Sequence, residues 1–273
     1  MAGQLDKCAC SLEILKFSAR IYLPPEGAQK ITEYDQWAEV YDIMYGNYRD
    51  DIDFYVRESK KVQGKVLEVG CGTGRIYIEL LKEGIDVEGI DISGRMLAQL
   101  REKAAALNLQ PEVSVADMRN FDLGREFSLI IVPFRSFLYN ITPEEQMSSL
   151  RSFYRHLKPG GKLILNFFYP DLEMLMGMNK ESEELLVSDG GKYVLRQRSY
   201  FVNEVDQTIE TIAVLYKDGE LYWKGTQRLA LIFKREFELL LRITGFKGWA
   251  VYGGFDCRPL TSYKQEMVWI AEK

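Results

Sequence analysis

The sequence predicts an α/β fold built on a doubly wound, mostly parallel sheet, and three observations predict it. The first is VLEVGCGTGR, Val66 to Arg75, a short branched apolar run that passes into three glycines and then into helical spacing over Ile76 to Glu83. A run of that kind reads as a buried parallel strand, with the glycines as the tight turn after it. The second is alternation. Apolar runs at Val87 to Asp91, Glu112 to Ala116, Phe127 to Val132 and Lys162 to Phe168 are separated by helical patterns such as Gly94 to Leu107 and Pro143 to Leu157, the order expected when helices cross over between parallel strands. The third is a block rich in β-formers, Lys192 to Asn203, Gln207 to Lys217 and Glu220 to Phe233, joined only by NEVD and KDG turns. Such spacing is an antiparallel meander added to the main sheet.

Bulk properties narrow the class. A chain of 273 residues with 47% hydrophobic and 27% charged residues can bury a sizeable core. No apolar run approaches the roughly 20 residues that span a bilayer, and the N-terminus has no basic region followed by an apolar core, so the expectation is a cytoplasmic protein with no membrane partner. The net charge of −5, without clustered Lys and Arg, disfavours a nucleic-acid partner. Cys8, Cys10, Cys71 and Cys257 have no zinc-ligand spacing and read as free thiols, so no metal is expected. The single histidine, His156, falls at a helix C-terminus, where a capping role is expected.

The free N–H groups at the start of the helix after the turn point at whatever sits above Gly72, which makes a strand, glycine turn and helix site for a nucleotide. A dinucleotide fingerprint needs G-x-G-x-x-G, but here Gly70, Gly72 and Gly74 are followed by Arg75, and Glu68 stands two residues before the first glycine. With that acid and G-x-G-x-G, the chain resembles the class I S-adenosylmethionine (SAM) dependent methyltransferases. The resemblance implies SAM as cofactor, with Glu68, Gly70, Cys71, Gly72, Thr73 and Gly74 around it.

Taken in order, residues 1–31 show no periodicity and include Pro24-Pro25-Glu26-Gly27; they read as an N-terminal extension. Tyr34, Trp37, Tyr41 and Tyr45 follow at helical spacing and share one face. That stripe is either core or a lid over the cofactor, as the resemblance implies for a Tyr-Asp pair like Tyr41-Asp42; Tyr34, Trp37 and Tyr41 are then donor contacts. Asp91 ends the second strand 17 residues beyond Gly74, where a carboxylate can accept from both ribose hydroxyls. Ile92 would lie against the adenine, and Ser93 would cap a helix whose apolar stripe includes Met96. At the end of the third strand, the family reads the adenine amino group with an acid and its neighbour, here Asp117 and Met118; the alternative for Asp117 is an Asx turn.

Pro133 stops the fourth strand's ladder, so the loop to Tyr139 is expected beside the transferring methyl. Val132-Pro133-Phe134-Arg135 is neither the acid-or-Asn-Pro-Pro-aromatic pattern of enzymes methylating base amines nor the Pro-Cys of those methylating pyrimidine carbons. The helix into LKPGG into strand step at Leu157 to Gly161 is a further resemblance. So is a closing pair of strands, Lys247 to Tyr252 and Glu266 to Ala271, after a helix Lys234 to Thr244 ended by Gly245. The family's three-layer, seven-stranded sheet with a C-terminal antiparallel hairpin is thereby implied, covering 32–170 and 234–273. Residues 171–233, with a short helix Leu172 to Met178, form the inserted antiparallel segment on the acceptor side, an arrangement similar to small-molecule N-methyltransferases.

Methyl transfer from a sulfonium needs no covalent enzyme intermediate, and holding the reactants in line at about 3 Å supplies roughly 7 to 11 kcal/mol. If a base takes the acceptor's proton, Tyr139, Tyr200 and Glu210 are the candidates. The expectation is transfer to a nitrogen or oxygen of a small molecule. A protein or RNA methyltransferase and a SAM-binding regulator remain the alternatives.

Overall fold

The computed structural model describes residues 32–188 and 191–273. A 3-10 segment, Glu33–Trp37, leads into α1 (Tyr41–Tyr45) and α2 (Ile52–Lys60). The chain then alternates through β1 (Val66–Val69), α3 (Tyr77–Lys82), β2 (Val87–Asp91), α4 (Gly94–Ala106), β3 (Glu112–Val115) and β4 (Phe127–Val132). A 3-10 turn, Ser136–Tyr139, precedes α5 (Pro143–His156), β5 (Leu157–Phe168) and α6 (Leu172–Met176). Four strands follow, β6 (Glu181–Ser188), β7 (Gly191–Asn203), β8 (Thr208–Lys217) and β9 (Glu220–Ala230), and then α7 (Lys234–Thr244), β10 (Gly248–Tyr252) and β11 (Glu266–Glu272).

The main sheet has seven strands in the order β10-β11-β5-β4-β1-β2-β3. Pairs among β1 to β5 are parallel, while β11 runs antiparallel to both β5 and β10. Two apolar clusters cover its faces. Leu67, Ile130 and Leu165 meet α5 and α7 on one side, and Val66, Leu129 and Ile131 meet α2, α3 and α4 on the other. The expected three layers follow from strand alternation, because successive residues of a buried strand face opposite helices. Phe237 shows how α7 docks: it is fully buried against Phe137, Phe167 and Trp269 at 5.3, 5.1 and 4.9 Å, which contributes on the order of 1.5–3 kcal/mol. Gly245, at φ 109°, ends the helix in the left-handed conformation that a side chain would resist.

Several boundaries differ from the sequence expectation, each for a physical reason. The LKPGG stretch lies within β5, yet pairing with β4 jumps from Leu157 to Lys162, so the turn survives as a bulge. The second sheet has four strands, not three, because the acidic run at Glu181 to Glu184 pairs with Arg196 and Arg198 of β7 despite low strand propensity. The aromatic stripe is not one helix: residues 38–40 turn between the 3-10 segment and α1. His156 is buried, with Nδ1 2.8 Å from the Ser152 carbonyl and Nε2 accepting from the Leu123 N–H at 3.2 Å, which is the expected structural role. Among the described residues no helix is long and apolar enough to cross a membrane. The expectation for residues 1–31 lies outside the described residues.

Candidate active site

Strand order reverses between β1 and β4, and in an open α/β sheet that reversal leaves a crevice outside the carboxyl ends of the strands. A cavity of about 210 Å³ sits there, lined by residues that follow β1, β2, β3 and β4. The glycine turn forms its floor. Gly70, Gly72 and Gly74 have φ of 71°, 53° and 89°, conformations that favour glycine. A Cβ on Gly70 would lie 3.0 Å from Ser136 Oγ and one on Gly74 2.8 Å from Leu100 Cγ, whereas one on Gly72 would meet nothing within 4 Å. The outer glycines are thus required by packing, and the middle one leaves a cradle that a ligand can fill.

Asp91 ends β2 beside that cradle. Its carboxylate accepts from the Gly72 and Ser93 N–H groups, both at 2.8 Å, which ties the second strand to the turn. Burial nevertheless pushes its carboxyl up to about 6, because removal from water penalises the charged form more than two backbone donors favour it. Ser93 Oγ accepts from the Met96 N–H at 3.1 Å as a helix cap and donates to Asp35 at 2.5 Å. Asp117 lines the cavity and also makes the Asx turn, accepting from the Arg119 N–H at 2.9 Å and from its guanidinium at 2.6 Å. Burial raises its carboxyl, but these Arg119 bonds outweigh burial and hold it below the usual range.

The aromatic segment closes the cavity from above. Tyr34, Trp37, Tyr41 and Tyr45 all line it, although a turn interrupts their helix. Tyr34 meets Tyr139 edge-on at 5.1 Å, Trp37 meets Trp223 of β9 at 4.5 Å, and Tyr45 meets Phe134 at 5.2 Å. Polar latches hold the same segment to the turn: Thr73 Oγ1 donates to Asp42 at 2.6 Å, and Lys103 reaches the other Asp42 oxygen at 2.8 Å. Arg75 occupies the place where a dinucleotide fingerprint would have its third glycine. It makes a buried bidentate pair with Asp51 at 2.6 and 2.7 Å, and its guanidinium lies 4.6 Å from the Phe134 ring centre.

Of the predicted donor-side residues, Gly70, Gly72, Asp91, Ile92, Met96, Asp117 and Met118 line the cavity together with the three aromatics. Glu68, Cys71, Thr73, Gly74 and Pro133 do not line it and stand behind it. Glu68 is buried, and burial raises its carboxyl well above the usual range. Cys71 Sγ packs towards Gly89, where a Cβ would come within 2.9 Å. The Pro133 carbonyl is taken by the Ser136 N–H and hydroxyl at 3.1 and 2.8 Å.

Of the three base candidates only Tyr139 reaches the cavity. Tyr200 and Glu210 bond to each other, and Glu210 also accepts from Arg228 at 2.8 Å. Their placement is a correction, and the register gives the reason. Ser199, Thr211 and Gln227 are paired across β7, β8 and β9, and Gln227 lines the cavity; Tyr200, Glu210 and Arg228 are the next register and therefore share the opposite face. Tyr139 donates to Gln227 Oε1 at 2.8 Å. Gln227, Leu229, Phe134, Arg135 and Arg119 also line the cavity without having been singled out as site residues. Alternation puts Gln227 and Leu229 on one face, but only the docked sheet shows which face is inside.

The profile of the methyltransferase domain family matches residues 66–161. Over 82% of this chain and 95% of its own length, the dTDP-3-amino-3,4,6-trideoxy-alpha-D-glucopyranose N,N-dimethyltransferase of Streptomyces venezuelae is 34% identical. The chain is a class I SAM-dependent methyltransferase. In the cavity over the glycine turn, the open space at Gly72 and the Asp91 carboxylate beside it fit a nucleoside. The fold of the methyltransferase is also that of the CcbJ methyltransferase from Streptomyces caelestis, with a TM-score of 0.75, 25% identity and coverage of 88% of this chain and 97% of that one. SAM-bound CalS10, an amino pentose methyltransferase from Micromonospora echinaspora, has a TM-score of 0.66 at 21% identity, covering 85% of this chain and 96% of its own.

Proposed function

We propose that this methyltransferase methylates a nitrogen of a small hydroxylated amine, with an amino sugar as the first candidate. The observation that carries the proposal is the Tyr139–Gln227 pair on the inserted sheet's side of the cavity, a neutral hydrogen-bonding pair set among aromatic rings. With Oε1 taken by the phenol, Gln227 has amide N–H groups to offer a substrate hydroxyl or carbonyl, and Tyr139 keeps a lone pair to accept from an amine N–H. The amino-sugar enzyme that is 34% identical over most of the chain supports the same class. On this reading Gly70, Gly72, Asp91, Ile92, Asp117 and Met118 hold the donor, and 171–233 is an acceptor-side insertion in a domain formed by 32–170 and 234–273.

When bound, SAM supplies an activated methyl group on a sulfonium. The chain contributes orientation and exclusion of water. Tyr41, Tyr45 and Tyr139 have phenols raised by burial, so near neutral pH they remain protonated and act as hydrogen-bonding walls, not as bases. The acceptor nitrogen therefore enters as the neutral amine. The rings of Tyr41 and Tyr45, which line the cavity, favour a cation by about 0.5–2 kcal/mol each.

The test is formation of S-adenosylhomocysteine with three probes: dTDP-3-amino-3,4,6-trideoxy-glucopyranose, glycine, and the 3-hydroxy analogue of the sugar nucleotide. Turnover with the amino sugar and none with the hydroxy analogue is expected. Equal turnover of the hydroxy analogue would show an oxygen acceptor, and turnover of glycine alone would remove the role given to Gln227.

A further inference from the structure

Phe134 and Arg135 are consecutive residues with left-handed backbone, φ 53° and 67°, in the loop that forms the cavity wall after β4. For residues with side chains such a pair is disfavoured and persists only where the surroundings hold it. What holds it lies behind the wall. Pro133 has no N–H and ends the ladder, so the Phe134 N–H is the first donor past the last β4–β5 pair, Val132 with Leu165. That donor is met by a side chain, Asn166 Oδ1, at 2.9 Å. The same oxygen accepts from the Tyr55 hydroxyl of α2 at 2.8 Å, and the Asn166 amide nitrogen donates to Glu266 Oε1 of β11 at 2.7 Å. Glu266 in turn holds the Arg135 guanidinium through Nε at 3.1 Å and an Nη at 2.8 Å.

One primary amide thus fixes both strained residues, Phe134 directly and Arg135 through Glu266. Asn166 is 2% exposed and Tyr55 fully buried, so water offers neither a substitute partner. The arrangement needs an acceptor and a donor on one short side chain; aspartate lacks the donor and leucine lacks both. Its product is the position of the Phe134 ring, which lines the cavity, meets Tyr45 at 5.2 Å and Tyr48 at 5.3 Å, and carries Arg75 over its face.

We infer that Asn166 is a positioning residue for methyl transfer: it locks the left-handed Phe134–Arg135 pair and thereby builds the aromatic wall of the donor cavity without touching either substrate. The inference holds whichever acceptor the enzyme uses, and its test uses none.

Asn166→Leu, Asn166→Asp and Asn166→Asp combined with Glu266→Gln are compared by amide hydrogen exchange, by calorimetric titration with SAM, and by thermal melting. In Asn166→Leu the amides of 134–136 should exchange at least about tenfold faster while those of 163–165 keep their protection. SAM affinity should fall about tenfold, as expected if the competent wall drops to roughly a tenth of the population. Asn166→Asp sets two carboxyls together and should behave as badly. Adding Glu266→Gln returns a donor to that contact and should recover most of the exchange protection and SAM affinity. A purely structural residue would lower the melting temperature and leave both other readouts unchanged, and that result overturns the assignment. If Asn166→Leu does not fold, failure of the double variant to recover what Asn166→Asp lost overturns it equally.

Discussion

The two ends of the cavity are made in different ways. The end where we place the donor consists of backbone and strand-end residues from one half of the main sheet: Gly70, Gly72, Ile92 and Asp117 follow strands, and Asp91 ends one. The end where we place the acceptor is assembled from side chains far apart in sequence, Tyr34, Tyr139, Gln227 and Leu229, and depends on how a second sheet docks. A site made from one turn tolerates change elsewhere in the chain. A site made from a docked face is sensitive to register, and a shift of one residue would exchange Gln227 for Arg228.

The largest expected effect is at the joint between the ends. Arg75 and Asp51 form a pair with side chains only 6% and 0% exposed, so Arg75→Met strands a buried carboxylate and should lower unfolding stability by about 3–5 kcal/mol in a denaturant titration. Near-wild-type stability would mean that the ends are built independently.

Next is the donor end itself. Asp91→Ala should weaken SAM binding by about 1.5–3 kcal/mol, because hydrogen bonds to a charged acceptor are lost. Titration calorimetry gives the answer, and an unchanged dissociation constant in a folded variant would move the ribose away from β2.

At the acceptor end the comparison sharpens into the two faces of one sheet. Gln227→Leu leaves the half-buried Tyr139 hydroxyl without its acceptor and should cost about 1–3 kcal/mol in kcat/KM for the acceptor with SAM affinity nearly unchanged. Tyr200→Phe and Glu210→Gln, on the opposite face, should leave both constants within about twofold. Loss of activity in those two variants, with Gln227→Leu active, would reverse the assignment of faces.

The smallest effect is in pH. The Asp91 carboxyl is raised to about 6 in the folded protein, so it takes up a proton more readily there than in the unfolded chain. Its contribution to stability is full below its ordinary range near 3.8, declines as pH rises through about 6, and is absent at neutral pH. Ribose hydroxyls would favour the charged form, so SAM affinity should weaken as pH falls below about 6 and level off above it. A flat profile from pH 5 to 8 in Asp91→Asn would assign the change to this carboxylate.

The sequence by itself determined the main sheet and the glycine turn over which we place the donor, and the reason is locality. A strand, three glycines and a helix over Val66 to Glu83 specify their own geometry, and an acid at the end of the next strand lands beside that turn because parallel strands end together. Tyr34, Trp37 and Tyr41 reach the cavity even though their helix is broken, since each short segment still turns its aromatics the same way. The tertiary structure decided the rest. Period-two alternation is identical for both faces of the inserted sheet, so Tyr200 and Glu210 were as plausible as Ser199 and Gln227 until the sheet was docked. Cys71 and Thr73 lie within the glycine turn in sequence, yet core packing and a bond to Asp42 turn their side chains away from the cavity. Arg75 with Asp51 and Asn166 with Phe134 join residues 24 and 32 positions apart. Contacts over such separations leave no periodic trace in the chain, because only the folded backbone brings their partners within hydrogen-bond reach.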